Sequence, residues 1–263
     1  TPMRANSSGA PFSSNFSPRG LCCLLLTAYF LLVTVPAQSQ QTSNHELRAI
    51  PADIPVVLDG NLGEWDLSGE ILMCYDLATL LDTHSVRVAA MYDADSLYLS
   101  FRFKDRRPMV NKVDPDTEHN RGWRADAVQL RFWTDHEKPV GPGGARMTHI
   151  DCWYATLKSA AVAQLVHHDI SQRAEGFEGE IREAIGKGVD AAFQKDPDGK
   201  GYTQEMRIAW NLLRRDGRPH LPGETLRMGI EAMWGNLSAN TYPMEHRYAD
   251  LVNPEHPSRE FFW

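Results

Sequence analysis

The sequence contains few cysteines, and none has the spacing of a cysteine-based functional motif. Only 4 of the 263 residues are Cys, and neither C-x-x-C nor C-x-x-C-H occurs. This absence excludes a thioredoxin-type redox pair and covalent attachment of c-type haem. Outside the N-terminal apolar region only Cys74 and Cys152 remain, and the sequence allows either a disulfide between them or two buried thiols.

The sequence also lacks the common catalytic signatures and any excess of positive charge. It has no G-x-S-x-G, no H-E-x-x-H and no phosphate-binding glycine-rich loop, so we predict a protein that is not itself an enzyme. Its 34 acidic residues outnumber the 27 Lys and Arg, giving a net charge of −7. This balance argues against binding to nucleic acid or to an anionic membrane surface.

One apolar run is present, at residues 21–35, and it is too short to span a bilayer comfortably. Arg4 and Arg19 precede it, and the small residues Ala37 and Ser39 follow it at the cleavage-determining positions. This pattern predicts a signal peptide over residues 1–39, with an uncleaved membrane anchor as the alternative. We therefore expect a secreted or periplasmic protein without stable membrane insertion after cleavage.

Alternation of apolar and polar residues dominates the rest of the chain. Residues 86–92 and 97–103 each place apolar side chains at every second position, and the turn formers of residues 93–96 lie between them. This pattern predicts a β-hairpin with one buried face. Further strands are predicted within five ranges: 128–132, 147–157, 160–167, 202–208 and 226–234.

Helical patterns are short and occur only at residues 210–215 and in part of 177–186. Many short strands without alternating long helices predict an all-β, antiparallel β-sandwich with long loops and one or two short helices. We assign residues 53–263 to this jelly-roll-like domain. Residues 40–52 are polar and unpatterned, which predicts a flexible leader.

Three landmarks occur in order along the predicted sandwich. Residues 58–65 read LDGNLGEW, residues 86–105 read VRVAAMYDADSLYLSFRFKD, and residues 122–130 read GWRADAVQL. Together they resemble the family 9 carbohydrate-binding modules and the related DOMON-like sandwiches. Residues 202–213 are similar to the strand-and-turn segment in which those modules carry an acidic residue and then a Trp.

The resemblance implies a site in which a sugar is held between two aromatic planes. Trp123 corresponds to one plane, and Trp263 is the comparable residue in the last loop. Gln129 takes the place of the family's acidic sugar contact, and the family's contacting Arg has no counterpart in residues 148–154. Poly- or oligosaccharide is therefore the expected partner. The family also continues into a closing strand, so we expect a truncated sandwich with a further domain, such as that of an enzyme, beyond residue 263.

A second hypothesis is a b-type haem electron-transfer domain, because the fold class is similar to the small subunit of ethylbenzene dehydrogenase. Met109 would be one axial ligand and His149 the preferred other, since thioether and imidazole both bind haem iron. The other candidate partners are Lys112, His167 and His168.

Two weaker hypotheses remain. Four acids could hold a structural Ca²⁺, because a hard cation prefers oxygen ligands: Asp114, Asp116, Glu118 and Asp126. A structural interaction module without a small ligand is the third functional hypothesis. Under the sugar hypothesis no cofactor is needed.

Overall fold

The computed structural model describes residues 42, 44, 46–74, 76–119, 121–134, 138, 146–169, 182–214, 216–235 and 246–247. They form an all-β sandwich of two sheets, which confirms the predicted fold class. The predicted signal peptide and Trp263 lie outside the described residues. Within the described residues, no helix combines the length and the hydropathy needed to cross a membrane.

The described residues contain twelve strands and three short helices. The strands are β1 (Ala49–Pro51), β2 (Ile71–Cys74), β3 (His84–Tyr92), β4 (Ser96–Asp105), β5 (Ala127–Thr134), β6 (Arg146–Ala155), β7 (Ala160–Asp169), β8 (Arg182–Glu183), β9 (Val189–Lys195), β10 (Gly201–Ala209), β11 (Arg227–Trp234) and β12 (His246–Arg247). The helices are α1 (Trp210–Leu213) and two 3₁₀ turns, Leu67–Gly69 and Gly122–Arg124.

The strands are arranged in two six-stranded sheets. Sheet A has the order β1-β3-β4-β10-β9, with β2 also paired to β3, and sheet B has the order β12-β11-β5-β6-β7-β8. The pairing of β1 with β3 is parallel, and the other strand pairings are antiparallel. The predicted hairpin is β3–β4, and its turn is closed by Asp93 Oδ1, which accepts the backbone N–H of Asp95 and Ser96, both at 2.8 Å.

The main core lies between the sheets and is built by one face of each. Val88, Phe101 and Met206 come from sheet A, and Leu130 and Ile150 come from sheet B; all five side chains are inaccessible to solvent. Burying one such side chain stabilises the fold by about 1.5–3 kcal/mol, so this core dominates the stability of the sandwich.

The outer face of sheet A is covered by the segment that holds the first sequence landmark. Trp65 is buried there against Ala89, Met91 and Tyr98, rather than at an end of the inter-sheet core. Its indole N–H donates to Glu205 Oε1 of β10 at 2.7 Å. The segment with the first landmark therefore covers the outer face of sheet A, and the buried Glu205 carboxylate attaches it to the sheet.

Several details differ from the sequence predictions. Part of 177–186 was expected to be helical, but Arg182–Glu183 is strand β8, which pairs with β7. The predicted leader contains Ala49–Pro51, which pairs with β3 although it has no apolar alternation. Main-chain hydrogen bonds hold this strand in place, and such bonds do not depend on the pattern of side chains. Cys74 and Cys152 are both buried thiols rather than a disulfide.

Candidate functional site

The outer face of sheet B is polar, yet it is buried. On β5, Val128, Leu130 and Phe132 face the inter-sheet core, so alternation turns Gln129 and Arg131 to the opposite face. Polar residues on an outer strand face are normally solvated, but Gln129 is only 4% exposed. Something other than the sheet sandwich must therefore cover this face.

Five polar residues lie side by side across five strands of this face and are called the polar row: Glu231, Gln129, Asp151, Gln164 and Glu183. The first four are buried, whereas Glu183, on the short strand β8, is exposed. Carboxylates and amides packed in one line provide many hydrogen-bonding atoms in a small area. Such a row is costly to bury and has no role in the apolar core.

Arg131 connects two members of the polar row. One guanidinium nitrogen, NH1, donates to Glu231 Oε2 at 3.1 Å, and the other, NH2, donates to Gln129 Oε1 at 2.9 Å. The Arg131 side chain is 13% exposed and that of Glu231 is 3% exposed, so this is a largely buried ion pair. His149 lies opposite Arg131 on β6. Arg131 therefore neutralises the Glu231 carboxylate and orients the Gln129 amide.

Asp151 lies at the centre of the polar row. Burial raises the pKa of Asp151 to about 7, and the nearby Glu231 carboxylate raises it as well. The Gln129 side chain, the main-chain N–H of Trp123 and the Arg131 charge lower this pKa. Among the described residues, no hydrogen bond of normal geometry reaches either carboxylate oxygen. An acid with such a pKa changes charge close to neutral pH.

The 3₁₀ turn Gly122–Arg124 covers this face and carries Trp123. Gly122 packs directly on Trp153, because a Cβ atom at residue 122 would lie 2.3 Å from a carbon of that indole. The Asn111 side chain donates to the Gly122 carbonyl at 2.8 Å and thereby holds the turn. Trp123 is only partly buried, and the Arg124 guanidinium lies 5.7 Å from its ring centroid. The turn thus presents an indole and a cation beside the polar row.

The structure brings two of the three predicted sugar contacts together. Trp123 and Gln129 belong to the same face of sheet B, and Asp151 faces both of them. Gln129 is almost fully buried, with 4% of its surface exposed. Trp263, the predicted second plane, lies outside the described residues.

The two predicted haem ligands lie on opposite faces of sheet B. Met109 is 6% exposed and belongs to the inter-sheet core. His149 shares its face with Asp151 and Trp153, on the outer side of β6. The backbone of Met109 is left-handed, with φ 58°, and its carbonyl accepts the Thr156 hydroxyl at 3.3 Å. A residue held in this way fills the core beneath its loop.

The four predicted calcium ligands have other partners. Asp114 and Asp116 both form ion pairs with Lys158, and Glu118 forms one with Arg124. Asp126 accepts backbone N–H groups inside the protein. Within the described residues, no three acidic, His or Cys side chains come together in a way that could hold a metal ion.

Sequence analysis did not single out Arg131, Asp151 and Glu231. The signal was present, because each is a charged residue between two apolar neighbours in its strand. From alternation alone, however, such a residue is expected to be exposed to solvent. Its burial becomes visible only in the structure, where the turn Gly122–Arg124 covers this face. The Arg131 guanidinium lies on β5, the strand next to residues 148–154 of β6.

No protein-family model and no curated protein matches the chain. Similar solved structures include two of a family 9 carbohydrate-binding module from Caldicellulosiruptor kristjanssonii, in complex with glucose and with cellotriose. The glucose complex is 14% identical over 74% of this chain and 81% of that chain, with a TM-score of 0.44. The cellotriose complex is 14% identical over 73% and 79%, with a TM-score of 0.41. Family 9 is also the family that the sequence landmarks resemble.

Proposed function

We propose that this chain is an exported, non-catalytic carbohydrate-binding module whose sugar lies on the outer face of sheet B beside Trp123. The observation that carries the proposal is the buried polar row next to a partly exposed indole. The C–H faces of a pyranose ring pack against aromatic planes, whereas its hydroxyl groups need partners that donate and accept hydrogen bonds. The partly exposed Trp123 offers the first kind of contact, and the side chains of Arg131 and Glu183, which are not fully buried, offer hydrogen-bonding groups beside the buried part of the row.

The charges on the face favour a neutral glycan. Glu231 is compensated by Arg131, while Asp151 and Glu183 add negative charge without an ion pair among the described residues. An anionic sugar would meet repulsion from these carboxylates, since like charges at close range disfavour each other. The overall net charge of −7 acts in the same direction.

Replacing Trp123 by Ala tests the proposal. We expect retention in affinity electrophoresis on neutral polysaccharides to weaken by about tenfold to a hundredfold, because the stacking plane is lost. Trp133→Ala is the matched control, since Trp133 lies on the same face of sheet B as the polar row but away from the turn Gly122–Arg124. Equal retention of the Trp123→Ala variant and the wild type would remove Trp123 from the site. If neither protein is retained by any glycan, the proposed function is wrong.

Asp151 predicts a pH dependence of binding. As pH rises through about 7, its carboxylate ionises and attracts the nearby Trp123 main-chain N–H and Gln129 amide more strongly. We therefore expect glycan affinity to increase by a few fold between pH 6 and pH 8, roughly the range over which this group titrates. In Asp151→Asn the affinity should be flat across that range. Asp151 is a positioning residue, so a wild-type profile in the variant would contradict this role.

A further inference from the structure

The turn Gly122–Arg124 has few interactions of its own that fix its orientation. It is a single 3₁₀ turn, in which the Arg124 N–H donates to the Arg121 carbonyl at 3.0 Å, and Arg121 provides no side-chain cap. The ion pair of Arg124 with Glu118 is partly exposed, and such pairs contribute little to stability. Packing on Trp153 is apolar and therefore non-directional. The orientation of the turn therefore needs directional hydrogen bonds from another segment.

Asn111 makes these bonds from the loop that follows β4. It is inaccessible to solvent. Its side-chain nitrogen, Nδ2, donates to the Gly122 carbonyl at 2.8 Å and to the Asp126 carbonyl at 3.1 Å. Gly122 directly precedes Trp123 in the sequence, and Asp126 follows the turn. One side chain therefore clamps both ends of the segment that carries the indole.

Both halves of the Asn111 amide are used. While Nδ2 donates to the two carbonyls, Oδ1 accepts the Val113 N–H at 3.0 Å. A flipped amide would direct its own oxygen at two carbonyl oxygens, so the contacts define the orientation of the group. Val113 belongs to the apolar cluster on which Trp123 packs. The amide thus fixes the turn together with an apolar residue beneath it.

The main chain of Asn111 is held as firmly as its side chain. Its N–H donates to the Thr156 hydroxyl at 2.9 Å, and its carbonyl accepts the Thr156 N–H at 2.8 Å. Two residues earlier, Met109 has a left-handed backbone, and its carbonyl accepts the same hydroxyl. Strained residues of this kind persist only where the surroundings impose them, and they cluster at ligand sites. Strain and hydrogen bonds therefore meet at the loop that holds the turn.

We propose that Asn111 is a positioning residue of the sugar site, whose amide holds the Trp123 indole beside the polar row in the orientation that a sugar ring needs. This inference rests on the proposed function. Asn111 is buried and does not touch the sugar. It restricts the motion of the turn before binding, because a ligand gains affinity when the groups that it contacts are already ordered.

Asn111→Asp tests the clamp, because a carboxyl group still accepts the Val113 N–H but has at most one proton to donate in place of two. With fluorinated tryptophan incorporated, we expect the fluorine NMR signal of Trp123 to shift and broaden, while that of Trp133 stays unchanged. Glycan affinity should fall by about twofold to tenfold, the range for a side chain that must be ordered on binding. Asn61→Asp is the matched control, since it makes the same change at an exposed residue.

A milder variant keeps the test valid if Asn111→Asp does not fold. Thr156 is only partly buried, and Thr156→Val removes the hydroxyl that binds the Asn111 N–H while keeping the shape of the side chain. We expect the Trp123 signal to shift in the same direction but by less. Thr156→Ser retains the hydroxyl and should give the wild-type signal.

The outcomes separate this inference from the proposed function. An unchanged Trp123 signal in Asn111→Asp and Thr156→Val would overturn the role of Asn111, whatever the wild type binds. A shifted signal with unchanged glycan affinity would also overturn it, because the indole would then move without consequence for the sugar. If the signal shifts but the wild type binds no glycan, the proposed function is wrong and Asn111 positions the turn for no sugar.

Discussion

Glu205→Ala is expected to lower the free energy of unfolding by about 3–5 kcal/mol, because three N–H donors, two of them on buried residues, then lose their common acceptor. Its carboxylate accepts the backbone N–H of Asp59 at 2.9 Å, the backbone N–H of Gly60 and the Trp65 indole N–H at 2.7 Å. Glu205 is inaccessible to solvent, so water cannot replace the lost acceptor. Urea unfolding followed by tryptophan fluorescence measures the change.

Asp190→Ala is the matched control for Glu205. Asp190 lies on the neighbouring strand β9 and forms an exposed ion pair with Arg207, which contributes at most about 1 kcal/mol. A loss of equal size in the two variants would show that Glu205 does not attach the covering segment. Gly60 supports the same attachment, because its φ is 85° and a Cβ atom at residue 60 would lie 2.2 Å from Gln194 Cβ, which leaves no room for a side chain.

The alternation of side chains was enough to predict the main strands, but not every edge strand. The β3–β4 hairpin was predicted because both of its strands bury one face and Asp93 begins the turn between them. Strand β9 was not predicted; its apolar set is only Val189, Ala191 and Phe193, and the last two are partly exposed. The alternation of apolar and polar residues is weaker where a strand buries less apolar surface.

The candidate site could be predicted only in part, and only through the resemblance. Trp123 and Gln129 lie in the landmark at residues 122–130, so the sequence places them next to each other. Arg131, Asp151 and Glu231 come from three different strands, and their contact depends on sheet register. Register over such sequence separations is not encoded in any local pattern.

The two sheets are also connected by a buried pair of acids that the sequence did not reveal. Asp105 ends β4 in sheet A, and Asp126 precedes β5 in sheet B; each carboxyl group influences the pKa of the other. Asp126 also accepts the N–H of Val110 at 2.7 Å and that of Gly235. Burial and the neighbouring Asp105 charge raise the pKa of Asp126 well above its usual value. Ionisation of one carboxyl group therefore disfavours ionisation of the other.

Asp126→Ala is expected to lower the free energy of unfolding by about 2–4 kcal/mol, because the Val110 and Gly235 N–H groups lose their acceptors. Thr117→Ala is a control, since Thr117 is exposed in the preceding loop. Equal stability of Asp126→Ala and the wild type, measured by urea unfolding, would contradict a role for Asp126 in joining the sheets.

The pH dependence of stability tests this coupling between the two acids. Because the pKa of Asp126 is raised in the folded state, its contribution to stability is complete below the ordinary value of 3.8 and is lost as pH rises through the folded pKa. Asp105→Asn replaces the second acid by an amide that donates to Asp126, so Asp126 can ionise in the folded protein at less cost. We expect this variant to gain stability relative to the wild type as pH rises from 4 to 8, a range that begins near the reference pKa of an Asp side chain. A difference that stays constant over this range would show that the two acids do not affect each other's ionisation.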